Sequence, residues 1–288
     1  MLPKISACVF VKDSVENPFC LWESMASLIG LADEYIVMDL GSTDGTLEIL
    51  EDLASNNHRI RIVHGSFHTN NPSIFATLAN DLVGMCKNEI VLHHQADEIF
   101  HEDLIDLMKA DLAPLAERIP SDWPGMNFWR IQLENNFQRV KWMPHPINHL
   151  DLKRRLHHVG DGMNTDRPWA APFVGDTKSG RPWEVEFKDY PHSLPTNQMV
   201  LDVSMTGGFL DNIPERRRKH APIWGENPEV IYLHGHAVNL QEWHERESQN
   251  PEWTAKTSPF NLPAIMRDLV GETRYRVREE VLHQIAEG

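Results

Sequence analysis

Residues 34–46 read Glu34-Tyr35-Ile36-Val37-Met38-Asp39-Leu40-Gly41-Ser42-Thr43-Asp44-Gly45-Thr46. A short apolar run ends on an acid, passes through a Gly/Ser/Thr/Asp turn and enters an amphipathic stretch. This is the pattern of a buried strand, a tight loop and a helix start, and it sets a carboxylate at the carboxyl end of the strand. Open α/β sheets bind ligands at that edge. Asp44 is expected to cap the next helix, in which Leu47, Leu50, Leu53 and Ala54 form an apolar stripe. Asp39 is then left to accept hydrogen bonds from a nucleobase or ribose, helped by the N–H groups around Gly41–Gly45.

The flanks repeat the alternation. Ile5–Val11 is a continuous apolar run suited to a strand buried on both faces. Phe19–Leu31 reads as a helix, Tyr35–Met38 as the second strand and Arg61–His64 as the third. Asn71-Pro72 gives an N-cap followed by proline at the first helical position. Phe75, Leu78, Ala79 and Leu82 then recur at one helical face. Glu89–His93 is a fourth strand, and a further helix is expected from about Glu102. The order β-α-β-α-β-α-β predicts an α/β fold, a mostly parallel sheet flanked by helices.

Beyond residue 111 the pattern changes. Phe128–Gln132 and Gln138–Trp142 are strand candidates, 144–195 reads as loops rich in Pro, Gly, Trp and His, and Val230–Leu233 is a last strand. Ile265–Ala286 reads as one charged helix. Residues 1–111 are expected to form the ligand-binding half. Residues 112–288 are expected to form an acceptor-side extension built onto the same sheet, one continuous domain with the first half rather than an independent one.

The chain has 288 residues and a net charge of −15. Residues 1–111 hold 18 acids against 6 Lys/Arg, net −12, and residues 112–288 are only −3. The first half therefore cannot attract an anion by bulk charge and needs a cation or helix N-termini. An acidic total also argues against a general nucleic-acid binder. Three scattered cysteines give no disulfide framework. No apolar run is as long as a membrane span, and the start lacks the architecture of a signal peptide, so a cytoplasmic protein is expected.

Several residues carry the chemistry. Asp97-Glu98 follows the fourth strand on the same edge as Asp39, where a carboxylate holds Mn²⁺ or Mg²⁺ and the cation neutralises a diphosphate. Asp97 is the expected ligand. His234 and His236, read as i and i+2 of one strand, would face one side and join it. The alternative reading of the acidic pair is a favourable interaction with the dipole of the next helix. The run Arg216–Lys219 reads as a solvated helix face. Eight of the nine tryptophans fall after residue 111; stacking on sugar rings and core packing both suit them.

The Asp39 turn followed some fifty residues later by Ala96-Asp97-Glu98 resembles family 2 glycosyltransferases of the GT-A fold. The resemblance covers about residues 4–110, and Gly41–Thr46 is its most specific part. It implies a nucleotide-sugar donor, foremost a UDP-sugar, a divalent metal and inversion at the anomeric carbon. It sets Lys12 and Asp13 beside the nucleotide, with Asp13 in place of the usual amide. Gln95 stands where relatives carry a further acid. By the same resemblance Arg154 or Arg155 would neutralise the leaving diphosphate, and Asp161, between two glycines, would act as general base. Asp166, Glu184, Glu186 and Asp211 compete for that last role. The acceptor is a glycan, a lipid-linked group, a protein or a modified nucleic acid. Two rivals remain: a non-catalytic sugar- or partner-binding protein of the same fold, and a nucleotidyltransferase, which the missing glycine run after strand one disfavours.

Overall fold

Strand β1 (Ile5–Val11) runs through the middle of the sheet, its one hydroxyl, that of Ser6, buried and donating to Glu34 at 2.8 Å. It pairs in parallel with β2 (Glu34–Asp39) on one side and β4 (Ile90–His93) on the other. β3 (Ile60–His64) is parallel to β2 and forms the outer edge, where Arg61 and His64 stand among apolar residues. The computed structural model describes residues 4–17, 19–67, 74–106, 108–110, 125–134, 137, 139–152, 200–203, 209–224, 227–233, 236–248 and 262–288.

Among the described residues the sheet order is β3-β2-β1-β4-β7-β6-β8-β5. The added strands are β5 (Glu98–Phe100), β6 (Gly125–Glu134), β7 (Arg139–Leu152) and β8 (Val200–Val203). β7 is antiparallel to both β4 and β6. The chain leaves β1 towards β2 and β3, then returns across to β4. The order therefore reverses between β1 and β4, and a crevice opens outside the carboxyl ends of these strands.

Helix α1 (Leu21–Ile29) covers one face, with Leu21, Trp22, Met25, Leu28 and Ile29 all buried. Each such side chain contributes about 1.5–3 kcal/mol relative to exposure. α2 (Thr46–Asn56) turns Leu50 and Leu53 into the same core, and α3 (Ile74–Met85) closes the other face with Leu78, Leu82 and Val83. The N-cap expected at Asn71 lies outside the described residues. The C-terminal helix Glu279–Glu287 buries Val281 and Ile285 in the α1 core, and the Asn57 side-chain amide donates to the Ile285 carbonyl at 2.8 Å.

Four expectations change. β7 runs through Pro144 and Pro146, where a loop was expected. Of β7, only residues 150–152 pair with β4, so further along β7 no ladder bond to β4 is forfeited by a missing N–H. The strand β5 intervenes before the helical residues 102–106 and 108–110, with Glu98 opposite Asp202. The C-terminal helix is not continuous from Ile265. A 3₁₀ segment, Ala264–Leu269, precedes Gly271 at φ 87°, and the α-helix starts only at Glu279. Lastly, Val230–Leu233 is one arm of an antiparallel hairpin whose other arm is His236–Asn239, with His236 opposite Leu233. Its satellite core joins Ile231 to Leu210, Ile213, Leu240 and Trp243.

Candidate functional site

The carboxyl ends of β1 and β2 are level, with Val11 opposite Asp39. The loops that leave them are stitched together. The Asp39 carboxylate accepts the N–H of Gly41 at 3.0 Å and of Ser42 at 3.1 Å, which closes the turn; Gly41 supplies its φ of 81°. Asp39 is thus not left over: it organises the turn, chiefly through Oδ2, and Oδ1 has only a longer contact of 3.3 Å with the Ser42 N–H.

Asp13 does the matching work from β1. It is buried at φ 51°, a conformation that acids and amides tolerate better than most side chains. Its Oδ1 accepts the Thr43 N–H at 2.8 Å, and its own N–H donates to Ser42 Oγ at 2.8 Å. Lys12 Nζ donates to the Gly41 carbonyl at 2.6 Å. Lys12, Asp13 and Asp39 are therefore brought together around one turn.

Asp44 lies one residue before the position expected for it, since Gly45 at φ 93° is the N-cap of α2. Its carboxylate still accepts the Thr46 hydroxyl at 2.6 Å, the Thr46 N–H at 3.1 Å and the Glu16 N–H at 2.7 Å. Burial raises its pKa, but these bonds outweigh it and hold the carboxyl below 3.8. The stability they give is present above that value and is lost as pH falls through the folded-state value. Asp44→Ala should lower stability by about 1–2 kcal/mol at neutral pH. The check is denaturant unfolding, with the deficit shrinking in acid.

At the end of β4 a buried relay fixes the turn that carries Asp97. His94 Nδ1 lies 2.9 Å from the Gln95 carbonyl and 3.1 Å from Ser24 Oγ, which places its proton on Nδ1. Its Nε2 accepts from the Tyr35 hydroxyl, which burial keeps protonated by pushing its pKa well up. Ser24 Oγ donates to the Glu98 carbonyl at 2.5 Å. The Glu98 carboxylate is fully buried and accepts the Gln95 N–H at 2.8 Å. Glu98 is a structural acid, and Asp97 alone of the pair is partly exposed.

The helix Ile213–His220 docks on this edge, contrary to the solvated face expected for Arg216–Lys219. Lys219 Nζ is 3.4 Å from Asp13 Oδ2 and 2.5 Å from Glu16 Oε2. Arg216 is 4% exposed, with its Cζ 5.0 Å from the centre of the Phe19 ring. Burial lowers its pKa to about 10, while Asp97 and Cys20 act to hold it up. Arg217 donates to the Val230 carbonyl at 2.5 Å and Arg218 to Glu229 at 2.7 Å. Residues 216 and 219 are three apart and share a face. That spacing was the available signal.

Arg154, Arg155, Asp161 and His234 lie outside the described residues, as do Asp166, Glu184 and Glu186. His236 opens the second arm of the hairpin, opposite Leu233. Asp211 lies 3.8 Å from His244 and 3.9 Å from Arg274. Among the described residues no three His, Cys, Asp or Glu side chains gather as a metal site, and no helix is long and apolar enough to cross a membrane.

The family model described as glycosyl transferase family 2 matches residues 19–166, just over half of the chain. No curated protein matches. Among solved structures, S. aureus TarS 1–349 in complex with UDP-GlcNAc is 18% identical over 46% of this chain and 34% of its own, at a TM-score of 0.33. The Pyrobaculum calidifontis mannosyltransferase PcManGT in complex with GDP-Man and Mn²⁺ is 16% identical over 58% of this chain and 49% of its own, at 0.36. The chain thus spans about a third to a half of these proteins. Its four parallel strands flanked by helices have the GT-A arrangement. This chain belongs to glycosyl transferase family 2.

Proposed function

We propose that the protein transfers a glycosyl group from a nucleoside diphosphate sugar, a UDP-sugar first among them, to an acceptor hydroxyl with inversion. The observation that supports it is the turn at the β1/β2 edge, where Asp39 and Asp13 lock a glycine-bearing loop beside the switch point of a family 2 sheet. The base and ribose meet Asp39 and its turn, flanked by Lys12 and Asp13. The acceptor approaches from residues 112–288. Asp161 takes the proton of the attacking hydroxyl, and Arg154 or Arg155 meets the leaving diphosphate.

The resemblance also implies Mn²⁺ or Mg²⁺. The described residues offer it Asp97, with an amide at Gln95 and the Glu98 carboxylate already engaged.

A panel of sugar nucleotides that includes UDP-GlcNAc and GDP-Man tests the reading, by thermal shift and by release of nucleoside diphosphate without acceptor. At least one donor should stabilise the fold and be slowly hydrolysed. Failure of every donor, with and without Mn²⁺, sinks the proposal, and release of pyrophosphate instead would make the protein a nucleotidyltransferase.

A further inference from the structure

The Asp13 side chain is 4% exposed, and a buried carboxylate must find partners for both its oxygens. Oδ1 takes the Thr43 N–H at 2.8 Å. Oδ2 faces two ammonium groups, Lys219 at 3.4 Å and Lys12 at 3.8 Å. Lys12 is the farther of the two and is already engaged by the Gly41 carbonyl at 2.6 Å. Lys219 is the nearer counter-charge, and it comes from the second half of the chain. Burial works against its charge, but Glu16 and Asp13 outweigh this and raise its pKa above 10.5, so it is an ammonium at neutral pH.

Lys219 holds the donor turn at two points. Through Glu16 it fixes the loop after β1, whose Val15 and Glu16 N–H groups donate to Thr46 Oγ1 at 3.1 Å and to Asp44 Oδ2 at 2.7 Å. Through Asp13 it fixes the residue whose N–H donates to Ser42 Oγ, and the Ser42 N–H in turn donates to Asp39. A continuous chain of contacts therefore leads from Lys219 to Asp39. An ion pair between two exposed side chains is worth little. This one differs because Asp13 is buried, and removing one member of a pair strands a buried partner.

We propose that Lys219 is a positioning residue for the nucleotide: acting through Asp13, it fixes the turn that presents Asp39, so that donor affinity depends on a side chain of the second half that does not itself meet the nucleotide. This rests on the donor reading above and adds to it a link between the helix Ile213–His220 and the nucleotide turn.

Calorimetric titration with UDP, GDP, ADP and dTDP, in MnCl₂ and in EDTA, tests it, with urea unfolding of each variant alongside. Lys219→Met should weaken the nucleotide that binds best by about 5–30-fold, the size of coupling carried through an intervening residue. Lys219→Arg keeps the charge and should restore most of that affinity. Asp13→Asn keeps an acceptor for the Thr43 N–H but loses the charge that Lys219 pairs. Lys219→Met in the Asp13→Asn background should therefore cost nothing further, because the two side chains act as one unit. Wild-type affinity of Lys219→Met overturns the inference, as does a loss that Lys219→Arg fails to restore. A loss of equal size with and without the Asp13 charge also overturns it, since Lys219 would then meet the nucleotide directly. Each of these outcomes leaves the donor reading standing. Failure of every nucleotide to bind the wild-type protein overturns both.

Discussion

Arg278→Met should destabilise the protein by about 3–5 kcal/mol at neutral pH, because it strands a buried carboxylate. Glu23 is fully buried on α1. Its Oε1 accepts Arg278 Nη2 at 3.1 Å and Nε at 3.2 Å, and its Oε2 accepts the Tyr275 hydroxyl at 2.9 Å. Arg278 also donates to the Ile265 carbonyl at 2.6 Å. These bonds tie the C-terminal segment to the helix beneath the candidate site.

The pH dependence gives the variant a signature. Burial raises the Glu23 pKa above 4.5, and Arg278 and Tyr275 oppose the rise. A carboxyl with a raised folded-state pKa holds its proton longer in the folded chain. Its stabilising contribution is greatest below 4.5 and declines as pH rises through the folded-state value. Without Arg278 that value moves higher, so the deficit of the variant should grow from acid to neutral pH. Glu23→Gln in the same background should recover much of the loss, since the amide oxygen still accepts from Tyr275. Urea unfolding at acid and neutral pH measures both, and a deficit independent of pH would rule out a stranded charge.

Asp39→Ala should abolish stabilisation by the nucleotide found in the donor panel and cost about 1–3 kcal/mol of fold stability, by leaving the Gly41 and Ser42 N–H groups without their acceptor. Asp39→Asn keeps one acceptor oxygen. It should hold the turn and weaken nucleotide binding by about 10–100-fold, the loss of a charged acceptor. Chemical unfolding and titration read the two effects separately. Asp39→Asn with unchanged affinity would show that Asp39 serves the turn alone.

The parallel half was legible in the sequence because its signals are local. Ile5–Val11, apart from Ser6, and Tyr35–Met38 are apolar runs, as suits strands buried on both faces. Gly41 and Gly45 mark left-handed backbone that other residues rarely adopt. The site was legible less completely. The strand-end position of Asp39 points to a ligand acid, but the turn takes two of its hydrogen bonds. The Arg216–Lys219 run reads as solvated because four charges in a row look alike until a partner surface divides them among Phe19, Asp13, Val230 and Glu229.

The sequence by itself determined that an acid, a glycine turn and a helix follow a buried strand, and that a second acid follows a later one. Strand periodicity and turn chemistry act over a few residues and leave their mark there. Only the tertiary structure decided what those acids face. Glu98 turns inward to the Gln95 N–H, and Lys219, some two hundred residues away along the chain, comes to lie 3.4 Å from Asp13. The physical reason is that the charge at a site is a sum over groups gathered from distant segments, and no local pattern records which cation the fold will bring to which carboxylate.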